Sequence, residues 1–292
     1  MINFLKYRYV CAFFSFAMMD TFFGVFFYKI ATMGHALFYG VEFSGGTLVL
    51  LGFEKPIKSS EVIDILEKNG WSGAVTREFG PKEILIRVKE FSNDVTGLAD
   101  RIKKSMEKEI NSTVKVLQTD SIGQGVGESL AWNSMKAIII GLILMLFYIA
   151  FRFWSVGYAL GAVIALFHDA IAILLYFMLF DKEISSNVIS AILAVLGYSI
   201  NDTIVIFTQI RENLKTMRTL PIEQVINISL TQTLRRTILT SLSTALIVVS
   251  LIVLGGEALR DLSTALLIGI IFGTYSSIYI ATTVMLMFYK EK

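Results

Sequence analysis

Asn201 and Asp202 stand about fourteen residues into an apolar run that opens at Val188, where a membrane-spanning helix is ordinarily oily. An ionised carboxylate near the centre of a bilayer costs about 2.5–3.5 kcal/mol on insertion scales, so such a residue faces a bundle interior and is either protonated or paired. Tyr198 and Ser199 lie four and three residues before Asp202, and Gln209 seven after, which stacks them along one helical stripe. A second segment offers the counterpart: Thr233, Arg236, Thr237, Thr240, Ser243 and Thr244 recur at the spacings of one helix face. An acid on one helix, a base at the mouth of another and hydroxyls between them are the parts of a proton path. Burial tightens a carboxyl's hold on its proton and a nearby guanidinium loosens it, so a change in the Arg236–Asp202 separation, or in water access, would load or release a proton. One charge moved across the membrane is worth about 2.3 kcal/mol per 100 mV, enough to bias a conformational equilibrium. The plainer alternative is that Asp202 only accepts a hydrogen bond between packed helices and that Arg236 marks the end of a span. His168 and Asp169 form a lesser pair: successive helical residues do not share a face, so both a proton-relay and a packing role stand for them. Asp20, in the first apolar run, is assigned no role.

The elements that position these residues belong to a membrane protein. Hydrophobic residues make up 54% of the 292 residues and charged ones 17%, well above the roughly 45–50% apolar content of a soluble domain. A bilayer core takes about 20 mostly apolar residues at a helical rise. Six segments qualify, at about 9–28, 134–151, 156–180, 188–208, 237–256 and 262–289. Arg152 lies between the second and third of them, while Arg211, Lys215, Arg218, Arg235 and Arg236 gather between the fourth and fifth. By the positive-inside rule these loops are cytoplasmic, and Lys6, Arg8, Lys290 and Lys292 place both termini there too. Gly157, Gly161, Ala165 and Asp169 recur every fourth residue, as do Gly269, Gly273 and Ser277, a spacing that lets helix backbones approach closely. The first run could also serve as a secretory signal, with a weak small-residue site at Gly34-His35-Ala36; its length favours an uncleaved anchor.

Three regions follow: a first span and N-terminus over 1–34, a soluble domain over 35–130, and five further spans over 131–292. Within the soluble domain the patterns predict a strand at Thr47–Phe53, a helix at Ser59–Lys68 capped by Ser59 or Ser60, strands at about 73–79 and at Glu83–Lys89, a helix over Asn93–Ile110 and a last strand at Val114–Thr119. The order βαββαβ is the ferredoxin-like arrangement. The expected fold is thus an α-helical membrane bundle of six spans carrying an inserted α+β ferredoxin-like domain. Gly45-Gly46 and the Gly123, Gly125, Gly127 run read as tight turns at its junctions with the membrane, since neither fits a nucleotide-binding loop. The lone Cys11 excludes an intramolecular disulfide, and His35 and His168, the two histidines, lie on different segments. No enzyme chemistry, cofactor or metal site is expected, and a net charge of +2 suggests no nucleic-acid partner.

Five stretches together carry a resemblance: FSGGT (Phe43–Thr47), YIAFRF (Tyr148–Phe153), GYSINDTIVIFTQIREN (Gly197–Asn213), QTLRRTILTS (Gln232–Ser241) and LLIGIIFGTYSSIYIA (Leu266–Ala281). In this order they resemble the SecF family of bacterial protein-translocase subunits, within the resistance-nodulation-division superfamily. The resemblance implies a multi-pass protein of the bacterial inner membrane, its 35–130 domain periplasmic, that pairs with SecD and associates with the SecYEG channel. YajC and YidC are candidate further partners, alongside membrane lipids. It implies use of the proton-motive force to help draw exported unfolded polypeptides out after the ATP-driven SecA step. It carries proton conduction onto Asp202 and Arg236, with Asn201 and Thr203 in supporting places. Thr208-Gln209 departs from the family's usual Asp-Arg, removing two charges, and Arg235 stands where Ser is common. Two other readings stay open: one half of a proton-coupled small-molecule or lipid transporter, and a passive scaffold for a partner subunit.

Overall fold

The structure, a computed structural model, describes residues 3–92 and 94–289, so the expected helix start at Asn93 and the C-terminal charges of Lys290 and Lys292 lie outside the described residues. The chain divides into two compact units, Tyr39–Met135 and the remainder.

In the first unit, β1 (Gly46–Phe53), α2 (Ser59–Lys68), β2 (Val75–Gly80), β3 (Glu83–Val88), α3 (Val95–Ile110) and β4 (Val114–Ile122) follow one another, α1 being the first membrane helix described below. The strands form one antiparallel sheet in the order β2-β3-β1-β4. Alternation in β3 sends Ile84, Ile86 and Val88 to one face, where Val62, Ile65 and Leu66 of α2 and Leu98, Ile102 and Met106 of α3 close over them. Asp94 caps α3 by accepting from the Gly97 amide at 2.9 Å. At α2 the expected serine cap is absent: Lys58 holds the extended N-cap position, and Ser59 and Ser60 lie inside the first turn without a side-chain cap bond.

The glycine junctions differ from each other. Gly45 and Gly46 have φ of 71° and 119°, the left-handed region a turn into β1 demands. The later run is no tight turn, because α4 (Gln124–Phe153) starts there. Its Gly127 is needed for proximity instead, since a Cβ would lie 2.8 Å from the Phe43 carbonyl oxygen.

The second unit holds α1 (Arg8–Met33), most of α4, α5 (Val156–Leu179), α6 (Ser186–Thr216), α7 (Ile222–Leu254), and a last span made of α8 (Gly256–Ser276), a π-helical segment Ser277–Ala281 and α9 (Thr282–Met287). Six helical stretches among the described residues are long and apolar enough to cross a membrane. They differ in burial: 67% of the apolar window of α5 is covered and only 6% of that of α4, so α5 is central and α4 turns nearly all its surface outward. Glycines permit the central contacts. A Cβ on Gly161 would sit 2.5 Å from the Ala281 carbonyl oxygen and one on Gly157 3.2 Å from that of Met285. On α8, Gly269 would strike a Val195 methyl at 2.2 Å, and Gly273 the Ser199 Cβ at 3.0 Å.

One charged clamp was not anticipated. Lys29, on α1, is 7% exposed; its ammonium donates to the Met178 carbonyl at 2.6 Å and to the Asp181 carboxylate. A cation at the carbonyl end of α5 complements both the open acceptors and the helix dipole. Lys29→Met is expected to lower stability by about 1.5–3 kcal/mol, the net worth of a hydrogen bond to a charged group. Asp181→Asn should cost less, because the Asp181 side chain is 55% exposed. Thermal denaturation of both variants, in the detergent used for the wild type, checks the order.

Candidate functional site

Asp202 is buried in the second unit, under the electrostatic influence of two groups of α7, the Ser241 hydroxyl and the Arg236 guanidinium. No ion pair joins the two charged residues among the described ones, and Arg236 itself is exposed. Ser241 is the centre of the arrangement. Its Oγ lies 2.7 Å from Thr274 Oγ1 on α8, and the Tyr198 hydroxyl donates to it at 3.5 Å. Thr274 in turn donates to the Ile270 carbonyl at 2.8 Å. Three helices thus meet through hydroxyls beside one carboxyl.

The expected polar stripe on α6 divides. Ser199 turns from Asp202 and donates to Asp169 Oδ2 at 2.6 Å, on α5. Asp169 and His168 are fully buried, and the His168 Nδ1 and Asp169 Oδ1 atoms lie 3.4 Å apart. Their side chains therefore meet, against the expectation that sequence neighbours point apart; χ rotation in a close-packed interior brings the ring back over the carboxyl. Ser276, buried on α8, donates to the Gly273 carbonyl at 3.1 Å. Gly273 makes this second cluster possible, because a Cβ there would crowd both Ser199 and Asp169 Oδ2. Gln209, the far end of the stripe, joins an amide network instead: it donates to Asn213 and Gln232 at 3.2 and 3.0 Å, and Asn213 donates to Ser229 and Gln232, both at 2.8 Å. Neutral amides thus tie α6 to α7 at the position where the resemblance leads one to expect Asp-Arg.

The hydroxyls expected to line a path on α7 mostly do not. Thr233 donates to Ser229 O, Thr240 to the Arg236 and Thr237 carbonyls, and Ser243 and Thr244 to Thr240 O. In an apolar surrounding the carbonyl one turn back is the nearest acceptor, and a hydroxyl takes it. Thr237 is buried, its Oγ1 without a partner among the described residues. Asn201 is exposed, Thr203 donates back to Ser199 O at 3.3 Å, and Asp20 is exposed on α1. Sequence reasoning passed over Ser241, although it continues the spacing of Thr233 and Thr237. It also passed over Thr274, Asn213 and Ser229, whose significance depends on which helices are neighbours. Among the described residues no three His, Cys, Asp or Glu side chains converge as a metal site would require.

Comparisons with known proteins bear on this geometry. The family described as "Protein export membrane protein SecD/SecF, C-terminal" matches residues 102–291. The protein translocase subunit SecF of Vibrio alginolyticus is 38% identical over 252 residues, covering 85% of this chain and 79% of that protein. The fused translocase subunit SecDF of Thermus thermophilus is 37% identical over 253 residues, covering 85% of this chain and 34% of its own length. The crystal structure of SecDF from Thermus thermophilus, described as a translocon-associated membrane protein, superposes with a TM-score of 0.86 at 34% identity. That match takes in 98% of this chain but only 38% of the solved one.

Proposed function

The chain belongs to the SecD/SecF family of protein-export membrane proteins, and from that premise we propose that this accessory subunit of Sec protein export couples, together with SecD, the proton-motive force to late steps of translocation. The carrying observation is the hydroxyl system at Asp202. A serine hydroxyl has one proton to give and lone pairs to receive. In this reading, with Asp202 ionised the neighbouring Ser241 hydroxyl turns its proton toward the carboxylate. With Asp202 protonated, the carboxylic acid donates to Ser241, Ser241 to Thr274, and Thr274 to the Ile270 carbonyl. Both protonation states find partners without a helix moving, which suits a group that gains and loses a proton in each cycle. Arg236, exposed on α7 and in no ion pair with Asp202 among the described residues, is the movable charge. The second cluster, His168, Asp169 and Ser199, lies beside the first on α5 and α6 and is a further proton-accepting position.

In this reading the partners are SecD and the SecYEG channel, with exported unfolded chains as the load; YajC and YidC remain candidates. The SecD partnership draws support from the fused SecDF relative. The unit Tyr39–Met135, whose βαββαβ order and strand arrangement suit the ferredoxin-like type, faces the periplasm of an inner-membrane protein with both termini cytoplasmic. The experiment is proton movement into proteoliposomes that hold this chain with SecD, followed by an entrapped pH dye under an imposed gradient. Flux above that of SecD alone is expected; equal rates would leave only a scaffold. Ser241→Ala should slow the flux about fivefold, the loss of one hydrogen bond of about 1 kcal/mol, while protein level stays unchanged.

A further inference from the structure

At the end of the bundle where α4 passes into α5, an open pocket of about 890 Å³ lies between the Phe153–Tyr158 turn, the last turns of α6, and Phe288 and Tyr289. Its wall carries Arg211 and Lys215, four residues apart on one face of α6, and Arg218, just beyond the end of that helix. Arg211 is fixed in place by donating from Nη1 to the Arg152 carbonyl at 3.0 Å, and Arg218 by donating from Nε to Lys215 O at 3.2 Å. Each guanidinium has further N–H donors. Among the described residues no acidic side chain pairs with any of the three, and no acid lines the pocket. Three uncompensated cations within one concavity repel one another unless an anion sits there.

The rim says which anion. Trp154 is 77% exposed and Val156 68%, large apolar side chains left outside the fold at a helix end. Tryptophan favours the headgroup layer of a bilayer, and the outward surface of α4 runs up to this rim. A soluble phosphate would need the cations but not the apolar border. We infer that the pocket binds an anionic phospholipid, its phosphodiester held by Arg211, Lys215 and Arg218 and its acyl chains lying along Trp154 and Val156. Basic pockets between membrane helices are suited to such headgroups, and the cation-rich end of the bundle is the cytoplasmic one by the positive-inside rule. The site is independent of Asp202 and of proton coupling.

The test uses the full chain with SecD in nanodiscs of phosphatidylcholine containing a minor share of phosphatidylglycerol, with bound lipid read by native mass spectrometry after release. Phosphatidylglycerol is expected to be retained far above its share. A basic side chain at an anionic surface contributes about fivefold in affinity, so K215Q/R218Q, which spares the Arg211 contact with Arg152, should lower retention about 30-fold. Trp154→Ala, which alters no charge, should lower it as well, whereas K103Q/K104Q on α3 removes the same charge and should not. The lipid assignment is overturned if K215Q/R218Q of unchanged melting temperature retains phosphatidylglycerol as the wild type does. It is equally overturned if inorganic phosphate displaces the bound lipid, or if phosphatidylcholine is held as tightly.

Discussion

Asp202→Asn is expected to reduce secretion of a reporter protein to the level of cells lacking the subunit, while protein level and association with SecD remain those of the wild type. Asparagine matches aspartate in size and keeps a polar group near the Ser241 hydroxyl, so the three-helix junction keeps its packing. What the amide lacks is a proton to give up within the working range of pH. The loss should therefore fall on the gradient-driven step alone, and an uncoupler should add nothing to it. Asp202→Glu retains a titratable group and should restore a measurable fraction. The assay is complementation of cells depleted of their own subunit, with immunoblots for level and co-purification for assembly. Full secretion with Asp202→Asn would remove proton carriage from this residue and leave a hydrogen-bonding role between packed helices.

Gly161→Leu is expected to do the reverse, abolishing assembly rather than proton transfer. The Cβ position of Gly161 lies 2.5 Å from the carbonyl oxygen of Ala281, a backbone atom that cannot rotate aside. Ala281 closes the π-helical segment, so any side chain at Gly161 must push α5 away from the last span. Overpacking a close-fitted interior by a few methylenes costs about 1–3 kcal/mol, and here the obstacle is main chain. Membranes should contain little folded Gly161→Leu protein, and Gly161→Ala should already show a lowered melting temperature. Gly141→Leu is the control, since nothing lies within 4 Å of a Cβ at that position on the outward-facing α4. Equal melting temperatures for Gly161→Leu and Gly141→Leu would contradict the close approach of α5 to Ala281.

Much of the architecture could be read before any coordinates. The six long apolar runs, the β3 alternation and the amphipathic pattern of α3 each follow from local periodicity, because a helix or strand repeats its buried side every 3.6 or 2 residues. Helix ends were harder. The expected fifth span begins at 237, yet α7 starts at Ile222, because helical hydrogen bonding extends beyond the apolar run into a more polar stretch whose Val225, Ile226 and Leu230 are packed in the bundle. The α2 cap failed for a local reason of the same kind: a serine followed by another serine does not say which of three positions turns out of the helix.

The Asp202 centre was legible in part. An aspartate in an oily run and an arginine at a span end stand out because each is costly where it lies. Composition and spacing alone determined the membrane class, the candidate acid, the candidate base and the small-residue faces. Only the tertiary structure decided the partners. Ser199 and Tyr198, adjacent on α6, look toward different neighbours, one toward Asp169 and the other toward Ser241. Thr274 enters from α8 because Gly269 and Gly273 let that helix come close. Sequence spacing gives the angle at which a side chain leaves its own helix. Which helix waits there depends on packing among segments far apart in the chain, and hydrogen bonds, acting over about 3 Å, register only that final placement.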